Sequence, residues 1–69
     1  MKSGWRVRTD YPEGNKMYQV YRLKNARELD TEENRETYAY YSGHEIAAQV
    51  AREMNTKEAE KYFRRTDDE

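Results

Sequence analysis

Three segments of the chain are typical of strands: the first alternates between apolar and polar residues, the period of a strand buried on one face, and the other two are rich in strand-forming residues. They run from Trp5 to Thr9, from Met17 to Lys24 and from Glu36 to Tyr41. The segment YPEGNK between the first two contains a proline and a glycine in an order typical of a turn. Residues 25 to 35 are polar and acidic and predict a long solvated loop. The pattern indicates an antiparallel sheet whose strands follow chain order.

After the third segment the apolar residues recur at helical spacing. Ser42 is followed three residues later by Glu45, the pattern of a capping box, so we predict a helix from Gly43 to about Asn55. Its apolar stripe, which would pack on the sheet, consists of Ile46, Ala47, Val50, Ala51 and Met54.

Beyond Asn55 the apolar residues lie about 140° around the helix from that stripe, at 100° per residue. One straight helix cannot bury both sets, so we predict a break or kink near Asn55 and Thr56 and a short second helix to about Arg64. The displaced set is Ala59, Tyr62 and Phe63.

These elements predict an α+β fold, in which a three-stranded antiparallel meander sheet packs on one α-helix and a short second helix follows at the C-terminus. A chain of 69 residues has room for one domain, which we place at residues 1–64. The last residues, 65–69, are polar and predict a disordered tail.

The junction between the third strand and the helix predicts which side chains face inward. Tyr41 precedes the predicted cap and would pack back on the helix, so alternation places Ala39 and Thr37 on the same side. In the second strand we expect Tyr18 and Val20 to face the helix, because an inward glutamine would need a buried partner. The opposite, outward face of the sheet would carry the candidate binding residues Arg6, Arg8, Gln19, Tyr21, Tyr38 and Tyr40.

Charge is distributed unevenly along the chain. Residues 1–27 contain seven Lys/Arg and two Asp/Glu, whereas residues 28–69 contain six Lys/Arg and twelve Asp/Glu. The net charge of −1 argues against a protein that coats nucleic acid nonspecifically, although a basic face can still hold phosphate. Cysteine is absent, and the sequence has no long apolar run and no signal-peptide pattern. We therefore expect a cytoplasmic protein.

Few residues could support catalysis or metal binding. The single histidine, His44, is predicted in the first helical turn as an exposed polar residue, and one histidine without cysteine does not form a structural zinc site. Acidic pairs such as Glu32 with Glu33 lie in solvated stretches, and the three glycines form no phosphate-binding pattern. We predict a non-enzymatic protein with no catalytic residue, metal or cofactor.

Tyrosines beside arginines on an uncovered sheet face have three interpretations. Both residue types are favoured in protein interfaces. Both also contact nucleic acids, through base stacking and phosphate pairing. Finally, tyrosine is a good strand former on any half-exposed surface. Our leading hypothesis is a protein-binding module that acts as a homodimer or as an accessory or inhibitor protein. The alternative is nucleic-acid binding, and no membrane or small-molecule partner is indicated.

The segments WRVRT and RETYAYYSGHEIAAQVA resemble the sheet-and-helix pattern of AP2-type and integrase arm-binding DNA-binding domains. In those domains the sheet enters the major groove, so the resemblance implies a reading role for Trp5, Arg6, Arg8 and Arg22. The segment KMYQVYRLKNARELDTEENRE is similar to small uncharacterised proteins of phages and mobile elements of Gram-positive bacteria, which implies an accessory role.

Overall fold

The computed structural model describes the backbone of residues 1–67 and the side chains of residues 1–61. Its elements are, in chain order, β1 (Arg6–Asp10), β2 (Met17–Leu23), β3 (Arg35–Tyr41) and α1 (His44–Asp67). The strands form one antiparallel sheet with β2 in the centre, and α1 packs against all three strands from one side. The predicted α+β fold, a three-stranded meander on one main helix, is confirmed.

A tight turn joins β1 and β2. A short 3₁₀ helix spans Pro12–Gly14, and the amide of Asn15 closes it with a 3.0 Å hydrogen bond to the carbonyl of its first residue. Gly14 has a φ of +83°, which glycine adopts without steric cost. The resulting register places Arg8 opposite Gln19.

The pairing of β2 with β3 contains a β-bulge. Val20 lies opposite Ala39, but the next residue of β2, Tyr21, lies opposite Thr37, so Tyr38 has no partner. One extra residue shifts the alternation of side chains, because the two residues at the bulge share a face. Tyr38 therefore lies on the helix-covered face together with Ala39, and Thr37 lies on the opposite face. The sequence-based prediction had both positions reversed.

The core lies between the sheet and α1. Val20 and Ala47 are fully buried and Ala51 is nearly so, and the small alanines let the helix approach the sheet closely. The predicted inward facing of Tyr18 and Tyr41 is confirmed. The partly buried residues around this core are Trp5, Val7, Tyr18, Tyr41, Val50 and Met54.

Two details of the helix start differ from the prediction. The amide of Ala47 bonds to the carbonyl of Gly43 at 3.2 Å, so Gly43 rather than Ser42 is the N-cap residue and the predicted capping box does not form. Ile46 is 57% exposed. It lies about 100° around the helix from Ala47, outside the sector that meets the sheet.

Helix α1 continues through Asn55 and Thr56, so the chain does not break there and a separate second helix is not confirmed. From Asn55 onward, the helix stripe that faces the sheet consists of polar residues instead of apolar ones. These polar residues form hydrogen bonds with Trp5 and Arg22. Asn55 Oδ1 accepts from the Trp5 amide at 2.7 Å, and Asn55 Nδ2 donates to the Trp5 carbonyl at 3.1 Å. One turn later, Glu58 Oε1 accepts from Trp5 Nε1 at 3.3 Å and from Arg22 Nη1 at 2.9 Å.

Arg22 connects the helix to the sheet by electrostatic contacts. Only 15% of its side chain is exposed, and it pairs with Glu58 at 2.9 Å and with Glu36 of β3 at 3.3 Å. Its guanidinium lies 4.4 Å from the centre of the Trp5 ring, and Lys2 approaches Glu36 to 3.0 Å. A largely buried arginine needs such partners, because an unpaired buried charge is strongly destabilising.

The predictions for the C-terminal residues are tested only in part, because the side chains are described to residue 61 and the backbone to residue 67. The apolar set of the predicted second helix includes Tyr62 and Phe63, whose side chains lie outside the described residues, as do residues 68–69. The domain boundary at residue 64 and the disordered tail over 65–69 stay predictions. Within the described part of the chain, no helix has the length and apolar composition needed to cross a bilayer.

Replacing Asn55 by alanine tests the polar contact between helix and sheet. Asn55→Ala removes both hydrogen bonds to Trp5 and leaves a half-buried amide and carbonyl without partners, so we expect a loss of about 2 kcal/mol in unfolding free energy. Urea denaturation measures it. Thr56→Ala, at the exposed neighbouring position, is the control and should change stability by less than about 0.5 kcal/mol. Equal midpoints for the two variants would contradict the role given to Asn55.

Candidate functional site

The sheet face opposite α1, here called the outer face, has no second layer of secondary structure over it in the described chain. Two of its central side chains are nevertheless almost fully buried, because Gln19 is 4% exposed and Tyr21 is 5% exposed. Neighbouring side chains of the strands and of the loop before β3 must therefore cover them. The outer face is a closely packed polar layer rather than a row of free side chains.

A row of hydrogen bonds crosses the three strands at the centre of this face. Arg8 Nη1 donates to Gln19 Oε1 at 2.9 Å, and Gln19 Nε2 donates to Thr37 Oγ1 at 2.6 Å. The bulge makes this row possible, because it turns Thr37 toward the outer face. Both ends of the Gln19 amide are satisfied, so the buried glutamine holds Arg8 and Thr37 in fixed positions.

Asp10 joins β1 to β3 at one end of the outer face. Its carboxylate accepts from the Tyr40 hydroxyl at 3.1 Å and pairs with Arg8 at 3.4 Å. The Tyr11 backbone amide, with help from Tyr40 and Arg8, holds the pKa of Asp10 below its usual value. Partial burial and the hydrogen bond to Asp10 raise the pKa of Tyr40. At neutral pH Asp10 is therefore ionised and Tyr40 is neutral.

Asp30 plays the corresponding role at the other end. Arg35 Nε donates to Asp30 Oδ1 at 2.6 Å, and the Tyr21 hydroxyl donates to Asp30 Oδ2 at 2.8 Å. These two hydrogen bonds lower the pKa of Asp30, with Arg35 contributing most. Burial, and then the contact with Asp30, raise the pKa of Tyr21. Because Asp30 belongs to the loop between β2 and β3, this contact fastens the loop to the sheet.

That loop is ordered by its own asparagines. The side chain of Asn34 donates to the carbonyls of Asn25 and Leu29 at 3.0 and 2.9 Å, and it accepts from the Asn25 amide at 3.0 Å. The sequence predicts only a solvated connection here. The folded loop instead places the acidic residues Asp30 and Glu32 at the margin of the outer face.

Between these contacts the outer face has a shallow, mainly polar depression of about 250 Å³. Two arginines and two carboxylates line it, so it offers both hydrogen-bond donors and acceptors. Tyr40, 38% exposed, presents an aromatic edge at its rim. The residues that line the depression are Arg8, Asp10, Gln19, Glu32, Arg35, Thr37 and Tyr40.

The structure brings five of the six predicted binding residues to the outer face. Arg6 is exposed opposite the buried Tyr21, while Arg8, Gln19 and Tyr40 line the depression. The sixth, Tyr38, is 56% exposed on the helix-covered side, where its ring lies 5.9 Å from that of Trp5 in an edge-on arrangement.

Sequence reasoning missed several residues of the depression. Thr37 was assigned to the inner face because regular alternation gives no sign of a bulge. Asp10, Glu32 and Arg35 stand at strand ends or in the loop, where charged residues are usually solvated. The available signal was the excess of arginines on the predicted face, since closely spaced arginines need carboxylates nearby.

The residues that carry the resemblance to sheet-type DNA-binding domains lie on both sides of the sheet. Arg6 and Arg8 are on the outer face, whereas Trp5 and Arg22 contact Glu58 of the helix. Only two of these four residues could therefore contact one ligand through the outer face.

Candidate catalytic or metal-binding groups are not brought together in the described part of the chain. His44 is exposed at the start of α1, with its ring 5.3 Å from that of Tyr18. Among the described residues no cluster of three or more His, Cys, Asp or Glu has a metal-binding arrangement.

Comparison of the chain with models of protein families, with curated proteins and with solved structures finds no match in any of the three. We therefore infer a function from the geometry of the outer face.

The depressed pKa of Asp30 makes a pH-dependent prediction. A carboxylate whose pKa is lowered by folding stabilises the protein at pH values above its ordinary pKa, which is 3.8 for aspartate. That contribution is lost as the pH falls through the lowered pKa. Asp30→Asn should therefore lower stability at about pH 6 and flatten the fall in stability below about pH 4. Urea midpoints across this range measure both effects.

Glu28→Gln is the matched control for Asp30→Asn, because Glu28 is exposed in the same loop and has no ion pair in the described structure. It should keep the wild-type profile. An Asp30→Asn profile that also follows the wild type would contradict the assigned contact.

Proposed function

We propose that this protein is a non-enzymatic binding module that recognises another protein through its outer sheet face. The partner surface inserts a polar or charged side chain into the depression beside Tyr40. Arg6 and Arg8, on the neighbouring strand β1, contact the partner surface beside this depression. Tyrosine and arginine are the residue types that most often dominate the binding energy of protein interfaces.

The observation that carries this proposal is the balance of charge on the outer face. Its arginines, Arg6, Arg8 and Arg35, are matched in number by carboxylates, and Arg8 and Arg35 each pair with an aspartate, at 3.4 and 2.6 Å. A nucleic-acid backbone requires an excess of free positive charge. A protein surface, which carries both signs, is the better complement. The carboxylates of this face are Asp10, Asp30 and Glu32.

Order within the face also supports protein recognition. The hydrogen bonds that connect Arg8, Gln19 and Thr37 fix these side chains before a ligand arrives. These side chains therefore lose less conformational entropy when a partner binds than the side chains of a mobile arginine surface would lose.

The pKa shifts support a binding role rather than catalysis. The pKa values of Asp10 and Asp30 move down and those of Tyr21 and Tyr40 move up, so each shift on the outer face leads away from neutrality. A general acid or base works best with a pKa near the operating pH. These groups act as fixed hydrogen-bond donors and acceptors.

We place this module in the cytoplasm, in keeping with a chain that contains no cysteine. We further propose an accessory or inhibitory role toward a larger partner, which is the role that the resemblance of the segment KMYQVYRLKNARELDTEENRE to small phage and mobile-element proteins implies.

The two exposed tyrosines of β3 provide a matched test. Tyr40→Ser removes the aromatic rim of the depression, whereas Tyr38→Ser removes a tyrosine from the opposite side of the same strand. Immobilised wild-type and variant proteins would be incubated with nuclease-treated lysate of the source cells, and retained proteins quantified by mass spectrometry. A partner of the outer face should be depleted about tenfold or more by Tyr40→Ser and retained by Tyr38→Ser.

Two results would contradict the proposal. Equal loss with both tyrosine variants would show that binding does not depend on the outer face. Binding of labelled single-stranded or duplex DNA, weakening steeply with salt, would favour the nucleic-acid alternative. Circular dichroism of both variants verifies that they remain folded, as expected for exposed substitutions.

A further inference from the structure

The free edge of β1 presents unpaired backbone groups whose direction can be derived from neighbouring contacts. Ser3 donates its amide to the Leu23 carbonyl at 3.0 Å, so the backbone groups of Leu23 and, two residues earlier, of Tyr21 point toward β1. Arg6, which is opposite Tyr21, therefore points its own amide and carbonyl toward β2. Because these directions alternate along a strand, the amides and carbonyls of Val7 and Thr9 point away from the sheet.

Asn55 confirms this direction and marks where the free edge begins. Its side-chain amide bonds both the amide and the carbonyl of Trp5, as a neighbouring strand would. The Trp5 position is thus closed by α1. In the described structure, no hydrogen bond occupies the backbone groups of Val7 and Thr9.

The opposite edge of the sheet is less suited to pairing. The bulge at Tyr38 interrupts the regular spacing of backbone groups along β3, and bulges are a common protection against edge-to-edge association. β1 has no such irregularity over its length.

The charges of β1 are complementary to those of a second, antiparallel β1. A two-fold axis at Arg8 places Val7 opposite Thr9 of the second copy and Arg6 opposite Asp10 of the second copy. Opposite charges at directly facing positions stabilise a strand pair. The two copies of Arg8 face each other, but each is held by its own Gln19 and Asp10, at 2.9 and 3.4 Å.

We propose that the protein forms a homodimer by antiparallel pairing of β1 with β1 of a second copy. Val7 and Thr9 of each copy exchange backbone hydrogen bonds, four in all, and two Arg6–Asp10 pairs flank the axis. Asn55 of each copy ends the pairing at Trp5. The result is a continuous six-stranded sheet with both helices on one side and two outer faces side by side, which is a closed, isologous assembly.

This dimer goes beyond the proposed function, because its backbone hydrogen bonds use the edge of β1; it engages Arg6 and Asp10 of the outer face but leaves Tyr40 outside the pairing. A monomer that still binds its partner through Tyr40 would overturn the dimer and leave the proposed function standing.

Thr9→Pro tests the pairing directly. In the monomer the Thr9 amide points to solvent, and proline is tolerated at such edge positions, so the fold should be retained. In the dimer the substitution removes a hydrogen-bond donor from each copy and places a proline ring against the second strand. Sedimentation equilibrium should show a dimer for the wild type, a monomer for Thr9→Pro and a dimer for the control Thr9→Val, which keeps the amide and the β-branched shape.

Arg6→Glu provides an independent arm that does not alter the backbone. It converts both flanking attractions with Asp10 into repulsions and should raise the dimer dissociation constant about tenfold. Hydrogen exchange supplies the local readout, since the amides of Val7 and Thr9 should become more protected as wild-type concentration rises. A wild type that stays monomeric at about 1 mM overturns the proposal. So does a dimer that survives both Thr9→Pro and Arg6→Glu but is lost in Tyr40→Ser.

Discussion

The β-bulge at Tyr38 is the constraint on which both faces of the sheet depend. Its extra residue lies opposite the step from Val20 to Tyr21 in β2, and this turns every earlier residue of β3 to the other face. Glu36 thereby meets Arg22 at 3.3 Å on the helix side, and Thr37 meets Gln19 at 2.6 Å on the outer side. In a regular strand Thr37 would lie beside Arg22, and a largely buried guanidinium would lose a carboxylate. The pairing of Arg22 with Glu36 therefore gives a physical reason for the bulge, because without it the largely buried guanidinium would keep Glu58 but lose its second carboxylate.

The two faces of the sheet have different roles: the helix-covered face holds the core, and the outer face carries the candidate binding surface. On the helix side a small core centred on Val20 is extended by polar contacts of Asn55 and Glu58, which attach the second half of α1 to Trp5 and Arg22. With the helix fixed to one face, the other remains uncovered and carries a polar layer organised by Gln19. Gln19 lies at the centre of the outer face, away from the hydrophobic core, so its burial does not add to that core. It positions the side chains around the depression, which links the fold to the proposed binding role.

The sequence predicts the element types, their order and the direction of the inner face well, because these depend on local periodicity and on one junction at Tyr41. It fails where an interaction crosses from one element to another. The predicted break or kink in the helix assumes that the inward stripe must be apolar, whereas Asn55 and Glu58 continue this stripe with hydrogen bonds to Trp5. The assignment of Tyr38 to the outer face assumed strict alternation. Five of the six candidate binding residues were nevertheless placed correctly, since they lie outside the shifted part of β3.

The bulge at Tyr38 is tested most directly by a nuclear Overhauser experiment on the aromatic and threonine side chains of β3. We predict contacts between the Tyr38 ring and the Trp5 indole, whose centres are 5.9 Å apart, together with contacts between the Thr37 methyl group and the Gln19 side chain. Contacts of the Tyr38 ring with Tyr21 instead, and of Thr37 with the helix-facing core, would show that β3 is regular. That result would contradict both the division of the two tyrosines between faces and the hydrogen-bonded row that organises the binding surface.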